Sequence, residues 1–206
     1  MDILMENDIQ QVPRDIRPSV GSVVTLFHLA PVCLLLMAVF AKAAHAQQVP
    51  DEYKVKAAFV FHFAQLIQWP LTGASGTPSI DVCAFSDEPW LPELQSVLDG
   101  KSAANRTIRV RVLTQSQNPE GCDVLFLGRS QVRRQLELLR ALHGSPTLTV
   151  GETDSFLSEG GIIRFRLSED RVRFDINLAG AELCHLKISS RLLLLATNVT
   201  RTSPER

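Results

Sequence analysis

The sequence is short of the arrangements from which catalytic sites are usually built. It has no Gly-x-Ser-x-Gly nucleophile elbow. It has no glycine-rich phosphate loop either. The nearest junction, Gly128-Arg129-Ser130 between a strand-like run and a helix-like one, offers one glycine and no lysine at the required spacing. Cysteine is scarce: 4 in 206 residues, with no pair at C-x-x-C or zinc-ligand spacing, which argues against a metal site. His62, His143 and His185 are scattered and have no motif neighbours. Asp154 and Glu159 flank a loop, but nothing pairs them as an acid and a base. A surplus of positive charge is also missing. Lys and Arg total 21 against 22 Asp and Glu, so no electrostatic footprint for nucleic acid exists. Together these absences exclude the common hydrolase, metalloenzyme and nucleotide-binding patterns and predict a protein that is not an enzyme and needs no cofactor.

What is present begins with an export signal. Residues 29–41 form an apolar run of signal-peptide length, preceded by Arg14 and Arg17 and followed by Ala44-His45-Ala46, a small-x-small cleavage pattern. Cleavage is expected between Ala46 and Gln47. Residues 1–46 then leave as a signal peptide, 47–200 form one domain and 201–206 a polar tail. The removed segment carries Arg14, Arg17 and Lys42 with Asp2, Glu6, Asp8 and Asp15. The mature chain therefore keeps 21 less 3 basic and 22 less 4 acidic side chains, a formal charge of zero. Export places Cys83, Cys122 and Cys184 in an oxidising compartment, where three cysteines permit one bridge and leave one thiol.

The mature chain reads as alternating elements. A helix is expected over 51–69, with Asp51 and Glu52 at its start, Val55, Phe59, Phe63, Leu66 and Ile67 on its apolar face, and Pro70 at its stop. His62 among these aromatics reads as a core or boundary histidine. A strand over 80–85 and a helix over 90–98 follow. The run 107–113 alternates strictly, with Ile108, Val110 and Val112 on one side and Arg109 and Arg111 on the other. Residues 124–127 form a continuous apolar strand of the kind buried on both faces. Next comes a helix over 131–142, striped by Leu136, Leu139 and Leu142, and a strand over 148–150. This order predicts an α/β fold, a largely parallel mixed sheet flanked by helices in a single compact domain. A C-terminal hairpin (162–167 and 171–176, joined by Ser168-Glu169-Asp170) and a last helix over 189–199, capped by Ser189 or Ser190, complete it.

The last third supplies the candidate site. Gly160 and Gly161 permit a tight turn or a close backbone approach. In 174–177, alternation sets Asp175 and Asn177 opposite Phe174 and Ile176. In 186–189, Lys187 and Ser189 stand likewise against Leu186 and Ile188. If the segments meet, Asp175, Asn177, Lys187 and Ser189 make one polar, ligand-binding patch. The competing reading is a solvated strand face plus a helix cap.

The order and spacing of several segments carry a resemblance. They are K-A-A-F-V-F-H-F-A-Q-L-I-Q-W-P (56–70), V-C-A-F (82–85), G-C-D-V-L-F-L (121–127), L-T-V-G-E (148–152), F-L-S-E-G-G-I-I-R-F (156–165), R-F-D-I-N-L (173–178) and L-K-I-S-S-R-L-L-L-L-A (186–196). Along nearly its whole mature length the chain resembles the YfiR family of periplasmic regulators. The resemblance implies a non-enzymatic periplasmic α/β protein that forms homodimers. Such a protein represses an inner-membrane diguanylate cyclase by binding its periplasmic sensor domain, and so lowers cyclic-di-GMP and biofilm formation. An OmpA-like outer-membrane lipoprotein sequesters the repressor. Other members serve histidine kinases or other sensors, which leaves a small-ligand or peptidoglycan-fragment binder as the alternative. The family's disulfide matches Cys83 and Cys122. A second family disulfide falls near Leu157 and Arg164 and is not reproduced, and Cys184 reads as a buried, inert thiol. Polar residues proposed to bind peptidoglycan in the family match Asp175, Lys187 and Ser189.

Overall fold

The structure, a computed structural model, describes residues 48–70 and 79–201. The signal segment, its cleavage point at Ala46–Gln47, the loop 71–78 and the tail beyond residue 201 lie outside the described residues. The first helix, α1 (Gln48–Leu66), begins a turn earlier than its acidic pair suggests.

An 8-stranded sheet forms the centre, in the order β10-β8-β7-β6-β5-β2-β4-β3. Its strands are β2 (Ser79–Phe85), β3 (Ser102–Ala103), β4 (Arg106–Leu113), β5 (Val124–Leu127), β6 (Leu148–Gly151), β7 (Ile163–Ser168), β8 (Arg171–Asn177) and β10 (Asn198–Thr200). The run β4-β2-β5-β6-β7 is parallel, while β3 and β8 are antiparallel additions. Helix α2 (Leu91–Leu98) follows β2, and α3 (Gln135–Ala141) follows β5. The α/β architecture with a mostly parallel sheet is thus as expected, and β2 and β5 are buried at every position.

Two cores lie on the two sheet faces. On one, α1 and α2 cover Ile80, Val82, Val124, Phe126, Phe165 and Phe174. On the other, Leu138, Leu139 and Leu142 with Phe156 cover Cys83, Phe85, Leu125 and Leu127. Phe156 lies flat between two glycines: a Cβ on Gly151 or Gly161 would come within 2.3 Å of its ring. Gly160, at φ 101°, makes the turn that a side-chain-bearing residue resists. Both uses anticipated for the glycine pair therefore occur.

Several element readings need correction. Helix α1 ends at Leu66, because Ile67 and Gln68 (β1) leave it to pair with Ile188 and Lys187 (β9, Lys187–Ile188) in a separate two-stranded sheet. Its inward stripe is Ala57, Val60, Phe63 and Ala64, whereas Val55 is 43% exposed. That phase turns His62 outward, where its Nδ1 meets Gln65 Oε1 at 3.2 Å, so it is not a core histidine. A 3₁₀ turn at Arg129–Gln131 precedes α3, and the later start moves Leu138 into the buried stripe in place of the exposed Leu136. The expected last helix is only α5 (Ser190–Leu195). Ala196 is extended, and Asn198–Thr200 instead extends the sheet beside β8. The β-branched pair Val199-Thr200 suits a strand, and the outer edge of β8 supplies the hydrogen bonds a frayed helix end would lack.

Four phenylalanines fasten α1 to the hairpin. Phe63 lies 5.1 Å from Phe174 and 5.7 Å from Phe165, and Phe59 lies 5.3 Å from Phe174. Edge-on and stacked pairs of this kind add about 0.5–1.5 kcal/mol each beyond burial. Phe63→Ala is therefore expected to cost about 3–5 kcal/mol. Urea denaturation will show it as a lower midpoint at unchanged slope, while Val55→Ala on the exposed side shifts stability by less than about 0.5 kcal/mol.

Candidate functional site

In open α/β sheets, ligands bind where the strand order reverses, outside the carboxyl ends of the strands. Here the reversal falls between β2 and β5. From β2 the chain moves outward to β4, then returns to β5 on the other side, and α2 and α3 leave towards opposite faces. The crevice that results is filled by the protein itself. Glu88, just beyond β2, is 5% exposed, and its Oε1 accepts from Gly128 N at 3.0 Å and Ser130 Oγ at 2.8 Å. A Cβ at Gly128 would lie 2.1 Å from Glu88 Oε2, so only glycine admits this carboxylate. The Gly128-Arg129-Ser130 junction is occupied by a carboxyl group, and that group is a side chain 40 residues earlier in the chain.

Neighbouring side chains complete the closure. Gln131 Nε2 donates to Asp87 Oδ1 at 3.0 Å. Lys56, from α1, bridges Glu52 and Glu152 at 2.5 Å each. Burial opposes the charge on Lys56, but hydrogen bonds to Glu152 and Glu52 and their negative charges outweigh it and raise its pKa. For Glu88 burial wins. It pushes the carboxyl up to about 7, against the hydrogen bonds from Ser130 and Gly128 and with help from the charges of Glu152 and Asp87. Sequence reasoning missed Glu88, Lys56 and Glu152 as a group. The only local sign was the strand–Gly–x–Ser junction, and its partner is distant in the chain.

The four sequence-derived candidates do not share contacts. Asp175 is 1% exposed. Its Oδ2 receives Arg164 Nη2 at 2.7 Å and lies 3.3 Å from Arg166 Nε, and its Oδ1 receives Asn198 Nδ2 at 2.9 Å. Burial alone would raise its pKa, but the bonds from Arg164 and Asn198 and the two guanidinium charges hold it below the usual range. Asn177, fully buried, caps α4 (Leu178–Leu183) by accepting from Gly180 N at 3.1 Å, and it donates to Leu157 O at 3.2 Å. The strand face carrying these two residues is therefore not solvated at their positions. Lys187 is exposed on β9, opposite Gln68. Ser189 caps α5, accepting from Leu192 N at 3.3 Å. No hydrogen bond or ion pair among the described residues joins Lys187 or Ser189 to Asp175 or Asn177.

A second charged surface lies on β4. Arg109 clamps Asp81 through Nε and Nη2 at 2.9 and 3.0 Å, and Arg111 Nη1 reaches the same carboxylate at 3.4 Å. These side chains, with Asp99 and Thr107, line an open depression of about 680 Å³. Asp99 also accepts from Val110 N at 3.1 Å, which blunts the outer edge of the strand. Beneath this surface Cys83 and Cys122 form a disulfide, with Cα atoms 5.9 Å apart. Cys184 is a buried free thiol whose pKa burial pushes up, away from the reactive thiolate.

A model of the YfiR/HmsC-like family matches residues 53–197. No curated protein sequence matches the chain. No described helix is long and apolar enough to cross a membrane.

Glu88 makes stability pH-dependent with a defined sign. Its folded pKa, about 7, exceeds the ordinary 4.5, so between these values the native state holds a proton that the unfolded chain has released. The resulting stabilisation is complete below about pH 4.5 and disappears as pH rises through about 7. Relative to Glu88→Gln, the wild type should therefore lose melting temperature between mildly acidic and mildly alkaline buffer. Parallel curves for the two proteins would show that Glu88 titrates normally.

Proposed function

The chain belongs to the YfiR/HmsC-like family, and from that membership we propose that it is an exported, periplasmic regulator of an inner-membrane signalling receptor. The receptor is a diguanylate cyclase. Binding to its periplasmic sensor domain holds it inactive, which lowers cyclic-di-GMP and biofilm formation. The mature regulator begins after Ala46 and acts as a homodimer. The observation that carries this reading is the family match, which spans the folded domain from α1 to the end of α5. The closed switch point supports it. Where a doubly wound enzyme would hold its ligand, Glu88, Gly128, Ser130, Asp87 and Gln131 bond to one another. What the fold offers to a partner is a stiff, exposed surface rather than a reaction chamber.

Deleting the gene should raise cellular cyclic-di-GMP and biofilm mass, and a plasmid copy should restore both. The receptor's isolated periplasmic domain should co-elute with the purified protein. Unchanged cyclic-di-GMP in the deletion strain, with no co-elution, would sink the proposal.

A further inference from the structure

The β7–β8 hairpin places arginines where a sheet ordinarily avoids them. Arg166 stands directly opposite Arg173, flanked by the pairs Arg164 with Asp175 and Ser168 with Arg171. All six side chains project from one face, since directly opposed residues share a side and alternate residues repeat it. Like charges directly opposed across two strands are destabilising, with Cβ atoms about 4.5–5.5 Å apart. Asp175 serves Arg164 and Arg166 and also accepts from Asn198, and Asp154 lies 3.6 Å from Arg164 Nη1, so two carboxylates face four guanidinium groups. Arg171 and Arg173 are exposed and have no acidic partner among the described residues. The turn acids Glu169 and Asp170 bond to none of the four. The buried Nε of Arg164 has no hydrogen-bond acceptor, and that of Arg166 meets Asp175 only as a 3.3 Å ion pair outside hydrogen-bond geometry. The other face of the hairpin is taken up by α1 through Phe165 and Phe174, so the arginine face is the side α1 does not cover.

We propose that Arg166 and Arg173, with Arg171 beside them, bind a phosphate group. The surplus of guanidinium over carboxylate on this face calls for an anion. A carboxylate has two oxygens, and in this protein those of Asp81 and Asp175 are each already shared by two arginines. A tetrahedral phosphate has acceptor oxygens for two or three forks at once and so suits a cross-strand pair. Bound phosphate neutralises the opposed charges, so the same feature that weakens the empty hairpin favours the occupied one. Soluble phosphate and the headgroup of an anionic phospholipid present the same chemistry to these arginines.

The test uses the purified full chain with inorganic phosphate at matched ionic strength. Phosphate should raise the melting temperature of the wild type. Arg173→Gln should remove that response and weaken phosphate binding by about tenfold or more. In phosphate-free buffer the same variant should melt about 1–3 °C higher than the wild type, because the opposed charge is gone. Arg173→Lys keeps the repulsion but loses the fork, so it should not gain stability and should respond weakly to phosphate. Co-flotation with phosphatidylglycerol vesicles but not phosphatidylcholine vesicles, lost in Arg173→Gln, assigns the source to a lipid headgroup. A response to inorganic phosphate without flotation assigns it to a soluble ligand. Three results overturn the proposal: no response to either probe, an equal response in wild type and Arg173→Gln, or binding of poly-glutamate with none of phosphate. The last would mark an acidic polypeptide surface instead.

Discussion

A parallel sheet is stable only when both faces are covered, and this chain has one helix too few to cover the second face completely. The β4-to-β5 connection, residues 114–123, contains no helix among its described residues, and neither does the β6-to-β7 connection, residues 152–162. On the first face α1 and α2 span the sheet from β4 to β8. On the second, α3 and the segment around Phe156 cover its middle strands. The rest of the structure follows from that shortage. At both wings of the second face the sheet must present side chains that tolerate water, and it presents arginines: Arg109 and Arg111 on β4, and Arg164, Arg166, Arg171 and Arg173 on the hairpin. Each wing has one aspartate set among its arginines, Asp81 on one side and Asp175 on the other.

The middle is treated in the opposite way. There the polar groups are few, buried and bonded to one another. Asp123 illustrates the economy. Its carboxylate accepts from Asp81 N at 2.8 Å and from Arg106 at 3.1 Å, and its backbone carbonyl accepts from Trp69 at 3.2 Å. One buried acid thereby ties β2, β4 and the residues following α1. The disulfide from Cys83 to Cys122 pins the same region on the other face, closing a separation of 39 residues across the helix-free connection. Such a link stabilises typically by about 2–4 kcal/mol through the unfolded chain. It secures a crossover that has no helix of its own to hold it.

Much of this was legible in the sequence, and the rest fails for identifiable reasons. The buried strands were readable because both of their faces are apolar. The hairpin was readable because Phe165, Phe174 and Ile176 alternate with polar residues around a short turn, closed by Glu169 and Asp170 at positive φ. The last helix was overextended because Leu192 to Leu195 continues an apolar pattern, while its stop is set by the open edge of β8, a tertiary partner. Alternation sets Asp175 and Asn177 on one strand face, but it cannot tell a ligand patch or a solvated face from the buried positions they occupy. Their burial depends on Arg164, Asn198 and the backbone of Leu157, none of which is local. The Glu88 plug was invisible for the same reason. A lone glutamate after a strand carries no signal until β5 brings Gly128 beside it.

The charge distribution bears on how such a molecule meets a partner. With 18 basic and 18 acidic side chains expected after signal removal, from 21 and 22 in the whole chain less 3 and 4, no long-range field steers association. Charges separated by more than a Debye length, about 10 Å at 0.1 M salt, are screened in any case. Any recognition by charge on this face must therefore come from groups in direct contact. A paired arginine such as Arg109 offers little, because its fork is already occupied by Asp81. Arg173, exposed, opposed by Arg166 and without an acid of its own, is where the second face has binding capacity left over.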